Sequence, residues 1–170
     1  MNTRQKTLVR QIRQTIESVG WHSIAVFDAG VPFMYSQGFR KLQHPDILVS
    51  GLPPAVAHQF IGDIFTLVQG GAAFVPGIKY DTIAEGYDAQ VREVHPTWRD
   101  ELCIITGAVY GNHNFDVLQL IYPDRYGRWP WNAACVHAVR AGVLKLDVER
   151  DPMSLVLPTY ATVPPLAHTA

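Results

Sequence analysis

The stretch GLPPAVAHQFIGDIFTLVQGG, residues 51–71, decides the predicted fold. It opens with a proline pair, which suits the first turn of a helix, and it stops at two consecutive glycines. The apolar residues in between recur at helical spacing: Val56, Phe60, Ile61, Ile64, Phe65 and Val68. A stripe of this width normally faces a core. Residues 56–68 are therefore predicted to form a core helix that packs on a sheet.

The segments on either side change from helical to strand patterns. Residues 3–19 place Leu8, Ile12, Ile16 and Val19 three or four positions apart and end at Gly20, which predicts an amphipathic helix. Residues 21–27, 33–36 and 47–50 have strand chemistry and predict an antiparallel meander.

The second half of the chain adds further elements. FDVLQLIY, residues 115–122, is apolar almost throughout, which predicts a strand in the middle of the sheet with Gln119 as its one polar residue. Residues 72–75, 82–84 and 89–94 have strand-like patterns, and residues 98–109 have a helical one despite their β-branched segment.

These patterns together predict an α+β fold. We expect one domain over residues 1–150, with a mostly antiparallel sheet of about five to seven strands, the core helix on one face and the N-terminal helix at the flank. Residues 151–170 form a proline-rich tail, in which Pro152, Pro158, Pro164 and Pro165 preclude regular structure over most of the length. This tail is expected either to wrap the surface or to hang free.

The composition excludes several classes of protein. The chain of 170 residues has 14 basic and 15 acidic side chains, a net charge of -1, and no run of like charge, so it lacks the basic patch that binds nucleic acid. The N-terminus lacks the apolar core of a signal peptide, and no stretch is long and apolar enough to span a membrane. A cytoplasmic protein is expected.

The cysteines and histidines give no sign of a metal or a cofactor. Cys103 and Cys135 lie too far apart for a metal knuckle, and reduced, buried thiols are expected. No pair of histidines has the spacing of a metal motif such as HxxxH or HxH. We predict no metal site and no cofactor.

The segment IYPDRYGRWPW, residues 121–131, is the first candidate site. It follows the central strand, so its large side chains are expected to cluster at one end of the sheet: Tyr122, Asp124, Arg128, Trp129 and Trp131. They have two interpretations. The tryptophans either cover the open end of the sheet, or form an aromatic wall that stacks a planar ligand or anchors a partner protein.

The segment YSQGFRKLQHPDI, residues 35–47, is the second candidate. His44 has the chemistry of a general base or a ligand, and Asp46 has that of a group that orients it. The alternative is an ordinary turn in which Asp46 accepts hydrogen bonds from the backbone and His44 faces solvent.

Four blocks, GWHSIAVF, VPFMYSQGF, HPDILVSGLPP and VLQLIYPDRYGRWPW, resemble a bacterial family known as domain of unknown function 4262. The resemblance covers roughly residues 16–132. The positions that match the family pattern are Tyr35, Gly38, His44, Pro45, Gln119, Pro123, Asp124, Gly127, Pro130 and Trp131. The chain departs from the pattern at five positions: Ser36 for Thr, Phe39 for Leu, Asp46 for Glu, Tyr122 for Trp and Trp129 for Phe.

This resemblance confers no reaction, but it implies that the His44 and Asp124 blocks belong to one site. A fainter similarity in layout is to Suppressor-of-fused-like domains, whose bacterial members include proposed immunity proteins.

Three functional hypotheses follow. The leading one is a module that binds a small planar or anionic ligand in a hollow shared by the two loops, with five binding residues: Tyr35, Gln119, Arg128, Trp129 and Trp131. The second is a hydrolase or transferase with His44 as base and Asp46 or Asp124 positioning it. The third is a protein-interaction or immunity module with a flat aromatic hot spot. A homo-oligomer is compatible with each.

Overall fold

The computed structural model describes residues 1–27 and 30–162 and confirms the α+β prediction. Within those residues the α-helices are α1 (Thr3–Val19), α2 (Pro54–Gln69), α3 (Pro96–Leu102), α4 (Ile104–Tyr110) and α5 (His137–Gly142). The strands are β1 (His22–Val26), β2 (Phe33–Gln37), β3 (Asp46–Ser50), β4 (Lys79–Ala84), β5 (Tyr87–Glu93) and β6 (Val117–Ile121). A 3₁₀-helix (Phe39–Leu42) connects β2 to β3.

The strands form one mixed sheet in the order β1-β2-β3-β6-β5-β4. The predicted meander of β1, β2 and β3 is confirmed, and β6 lies between β3 and β5 as expected for a fully buried strand. All pairs are antiparallel except β3 with β6, which are parallel, with Asp46 opposite Val117. Because β3 and β6 run in the same direction, both begin at one end of the sheet and both finish at the opposite end. This pairing decides where the candidate residues lie.

Alternating side chains along the strands bury both faces of the sheet. Ile47 and Val49 point to the face covered by α2, where Ile61 and Ile64 are fully buried. Leu48 points to the other face, which packs on a second cluster that includes residues of α3 and of the segment after α5. Full burial of one such side chain contributes roughly 1.5–3 kcal/mol, so the two-sided core accounts for the placement of β3 in mid-sheet.

One local prediction holds in part and another is wrong. Residues 98–109 are helical as predicted except at Cys103, whose ψ of 42° leaves the helical conformation and divides the segment between α3 and α4. Residues 72–75 form no strand. The Ala72 N–H donates to the Leu67 carbonyl at the end of α2, while the Phe74 N–H donates to His44 Nε2 and the Val75 N–H to Tyr80 Oη.

The described part of the C-terminal segment packs on the domain. Thr159 forms a β-bridge with Leu144, the Lys145 N–H donates to the Pro158 carbonyl, and Tyr160 is buried. Pro164 and Pro165, which supported the prediction of an irregular tail, lie outside the described residues. The domain boundary at residue 150 stays a prediction. Across the described chain, no helix has both the length and the apolar character needed to cross a membrane.

Candidate functional site

Asp124 organises the loop that follows β6. Its buried carboxylate accepts hydrogen bonds at 2.9 Å from the backbone N–H groups of Tyr126, Arg128 and Val136, and one at 3.0 Å from Arg128 Nε. Burial alone would raise the pKa of this carboxyl, but these donors outweigh burial and hold the pKa well below its usual range. Asp124 therefore joins residues 124–128 to the turn before α5, and its lone pairs are used within the loop.

The two tryptophans of the loop stack on each other, and a cation lies near each ring. The rings of Trp129 and Trp131 are parallel, with centroids 5.4 Å apart and an interplanar angle of 3°. The Arg92 guanidinium carbon lies 4.2 Å from the Trp131 centroid, and Lys79 Nζ lies 5.9 Å from the Trp129 centroid. Arg92 also forms an ion pair with Asp147 at 2.8 Å. The half-buried indoles thus hold the loop against β4 and β5.

Gln119 and Arg128, the other predicted binding residues near this loop, bond to the protein itself. Gln119 is fully buried, and its Nε2 donates to the Leu144 carbonyl at 2.7 Å. Arg128 is paired with Asp124 and lies over the Tyr126 ring. Both side chains support the local structure.

His44 is held by two backbone groups. Its Nδ1 donates to the Pro45 carbonyl at 2.7 Å, and its Nε2 accepts from the Phe74 N–H at 3.3 Å, so this pair of partners assigns the neutral Nδ1–H tautomer. Burial lowers the pKa of the ring, and this effect exceeds the opposing effect of the Pro45 carbonyl. Neither Asp46 nor Asp124 is a hydrogen-bond partner of His44 in the part of the chain that is described.

Asp46 instead forms a buried network with Tyr110. Asp46 Oδ2 accepts from Tyr110 Oη at 2.5 Å, and Asp46 Oδ1 accepts from Ser36 Oγ at 3.1 Å and from the Phe39 N–H at 3.3 Å. Tyr110 Oη also accepts from the Gly38 N–H at 2.6 Å. Burial raises the pKa of Asp46 to about 7, even though these donors and the charge of Arg40 act to lower it. A carboxyl that titrates near neutrality inside a hydrogen-bond network is a frequent mark of a functional site.

The prediction of one hollow shared by the two loops is wrong. His44 and Asp46 lie at the end of the sheet where β3 begins, whereas the loop with Asp124 and Trp131 follows the last residue of β6. Because β3 and β6 are parallel, the two loops lie at opposite ends of the sheet.

A third place in the fold has the shape of a binding site. A cleft of about 690 Å³ lies on the face of the sheet opposite α2, and we call it the β1–β2 cleft. Its walls include Ile24, Val26, Phe33, Tyr35 and Trp98. Residues of α1, α3 and α4, together with Arg150 and residues 154–157, complete the lining. Tyr35 is the one predicted binding residue among them.

Three aromatic side chains contribute to the mostly apolar lining of the β1–β2 cleft. The Phe33 and Tyr35 rings stack with centroids 6.3 Å apart, and burial raises the pKa of Tyr35 so that its hydroxyl stays neutral. Trp98 is 3% exposed, and its Nε1 has no hydrogen-bond partner among the described residues. A buried donor without a partner costs about 1–3 kcal/mol. Trp98 was not predictable as a lining residue from the sequence, because its position indicated only a helix.

No cluster of metal-ligating side chains is present within residues 1–27 and 30–162. Apart from Gln119, which is buried in the middle of β6, the predicted site residues divide among three places: the end of the sheet with His44 and Asp46, the loop after β6, and the β1–β2 cleft.

Searches of curated proteins and of solved structures find no match to this chain. The family described as "Domain of unknown function (DUF4262)" matches residues 15–136, which span the meander, α2 and the loop after β6. The chain belongs to the DUF4262 family.

Proposed function

We propose that this protein is a small-molecule-binding module and that its ligand, a flat and mostly apolar molecule, binds in the β1–β2 cleft. The observation that carries the proposal is the cleft itself, which offers about 690 Å³ beside the side chains of Phe33, Tyr35 and Trp98. This volume lies within the roughly 300–1,000 Å³ of known ligand pockets, which are mainly apolar with a few polar groups.

One polar group indicates where the ligand carries its own polar atoms. Arg150 lines the same cleft, and its ion pair with Glu101 is long, at 3.8 Å, with Glu101 about half exposed. Since such a surface pair contributes little, Arg150 remains able to meet an anionic group. A planar, mostly apolar ligand with an acidic substituent fits this cation and the apolar walls of the cleft.

The other predicted binding residues belong to supporting structure in this proposal. Gln119, Arg128, Trp129 and Trp131 do not line the β1–β2 cleft, and each contacts neighbouring protein groups. His44 has both ring nitrogens bonded to backbone groups, which argues against a role for it as general base. A cytoplasmic location remains a prediction.

Fluorescence titration with 8-anilinonaphthalene-1-sulfonate, a mostly apolar aromatic probe with a flat naphthalene ring and one anionic group, tests the proposal. The wild-type protein is expected to enhance the emission of the probe under conditions where its near-UV circular dichroism is that of the folded state. Val26→Trp places an indole in the cleft and is expected to weaken binding at least tenfold. The matched control is Val19→Trp, since Val19 is 61% exposed on α1 and does not line the cleft. Equal affinity of the wild type and Val26→Trp would contradict the proposal.

A protein-interaction role is the second candidate. Apolar side chains are exposed around the mouth of the cleft: Leu8 by 42%, Ile104 by 71%, Leu155 by 98% and Val156 by 69%. Exposed apolar patches of this kind mark interaction sites. Sedimentation of the purified chain tests self-association through this rim, which is expected to decrease in Leu155→Ser. A monomeric wild-type protein at every concentration would remove the homo-oligomer version of this candidate.

A further inference from the structure

A second cleft, of about 470 Å³, lies between α1, the 3₁₀-helix and α4 and is rich in positive charge. We call it the basic cleft. Its charged lining consists of Arg13, Arg40 and Lys41 against the single carboxylate of Glu17. None of the three cations forms an ion pair with a carboxylate among the described residues. The cleft therefore has an excess of two positive charges.

Two of these cations are held in place by neighbouring groups. Arg13 Nε donates to the Val109 carbonyl and Arg13 Nη2 to the Ala108 carbonyl, both at 2.9 Å, at the C-terminal end of α4. The Arg40 guanidinium carbon lies 5.3 Å from the Tyr110 ring centroid, and its Nη1 donates to Asn112 Oδ1 at 3.3 Å. Positioned guanidinium groups recognise oxyanions well, because little side-chain freedom is lost on binding.

Tyr110 links this cleft to Asp46. The Tyr110 side chain lines the cleft, and its hydroxyl bonds to the buried Asp46 carboxyl. Two other charged or titratable side chains interact with the Asp46 carboxyl: Arg40 on the 3₁₀-helix and Cys103 between α3 and α4. The Cys103 thiol also interacts with Arg99 and Asp100. Burial raises the pKa values of Cys103 and Tyr110, so both stay neutral near pH 7. Asp46 is then the buried group beside the cleft whose charge changes near neutrality.

We infer that the basic cleft binds a small, doubly charged tetrahedral oxyanion such as sulfate, and that protonation of Asp46 strengthens the binding. Arg13, Arg40 and Lys41 supply the attraction. The ionised Asp46 carboxylate repels the anion, and it competes with the anion for the positive charge of Arg40.

The sign of the coupling follows from linkage. The pKa of Asp46 is about 7, so this carboxyl is mostly neutral at pH 6 and mostly ionised at pH 8. The anion is expected to bind more tightly at pH 6, and by reciprocity its binding is expected to draw a proton onto Asp46. Sulfate remains a dianion throughout this range, and no histidine lines the cleft, which leaves Asp46 as the expected source of the pH dependence.

The test is a titration of the full ¹⁵N-labelled chain with sodium sulfate, followed by NMR, against sodium chloride at matched ionic strength. Sulfate is expected to shift the amide signals of Gly38, Arg40 and Lys41, with an affinity about fivefold to tenfold higher at pH 6 than at pH 8. Arg40→Gln should weaken binding at both pH values. Its matched control, Arg10→Gln, changes an exposed α1 cation outside the cleft and should have no effect.

Asp46→Asn is expected to bind sulfate equally at both pH values. If this variant does not fold, Tyr110→Phe provides a second test, because removing the hydroxyl donor raises the pKa of Asp46 further and should move the affinity change to higher pH. The absence of sulfate-specific shifts at the cleft, an affinity that does not vary with pH in the wild type, or an unaltered pH profile in Tyr110→Phe would overturn the inference.

Discussion

Replacing Asp46 by Asn should make the protein more stable at alkaline pH and less stable at acid pH. The native pKa of Asp46 is about 7, whereas its usual value is 3.8. When the native pKa of a carboxyl is raised, the unfolded state ionises first as the pH rises. The stability associated with the neutral group is therefore complete below about pH 4 and is lost progressively until the pH passes about 7.

The size of the effect follows from the pKa difference and the local hydrogen bonds. A difference of about 3 pKa units corresponds to about 4 kcal/mol at 1.36 kcal/mol per unit. The asparagine Oδ1 can still accept from Ser36 and Phe39, but the hydroxyl proton of Tyr110 loses its acceptor at a cost of roughly 0.5–1.5 kcal/mol. The variant is therefore expected to be about 1 kcal/mol less stable than the wild type at pH 4 and about 3 kcal/mol more stable at pH 8.

Urea denaturation followed by far-UV circular dichroism, at several pH values from 4 to 8 and without sulfate, measures this difference. Comparing the two proteins at each pH cancels the contributions of the other titrating groups. A difference in unfolding free energy that stays constant from pH 4 to pH 8, or that changes in the opposite direction, would refute the assignment of Asp46 as a neutral buried carboxyl.

Three further predictions concern the supporting structure. Asp124→Ala should speed amide hydrogen exchange in residues 126–128, because their N–H groups lose a carboxylate acceptor. The lowered pKa of Asp124 favours its ionised form, so the wild-type loop should lose protection only as the pH falls below the usual carboxyl range. Unchanged exchange would contradict this role. Gly38→Ala should lower the free energy of unfolding in urea by more than about 3 kcal/mol, since the Gly38 φ is 116° and a Cβ would lie 2.5 Å from a backbone oxygen. The control, Gly77→Ala, has open space around the added Cβ and should lower it by about 1 kcal/mol. Similar losses in the two variants would contradict the close approach at Gly38. Arg92→Met removes a cation from the face of the Trp131 ring, so it should lower the free energy of unfolding by about 1–2 kcal/mol and change the fluorescence emission of Trp131. An unaltered emission spectrum would contradict the contact between Arg92 and Trp131.

The elements were predictable where the pattern is local. Both α1 and α2 follow from apolar residues three and four positions apart, and the central place of β6 follows from its nearly continuous apolar sequence. The break at Cys103 was not predictable in this way, because helical spacing continues across it while the backbone turns away.

The site was predictable only in part, because it depends on contacts between distant residues. Sequence patterns placed Asp46 and Asp124 at strand ends, but strand order and direction are set by packing, and the parallel pair β3–β6 separates the two residues. Tyr110 bonds to Asp46 across 64 residues, and Trp98 reaches the same cleft as Tyr35 through the packing of α3. Of the predicted binding residues, Tyr35 is the one that lines the β1–β2 cleft.

The most direct measurement of the binding proposal is the set of intermolecular NOEs between bound 8-anilinonaphthalene-1-sulfonate and the methyl groups of the labelled protein. Binding in the β1–β2 cleft predicts NOEs to Val26, Leu102 and Ile105, which line it. NOEs confined to methyl groups outside the cleft, such as that of the exposed Val75, would contradict the account.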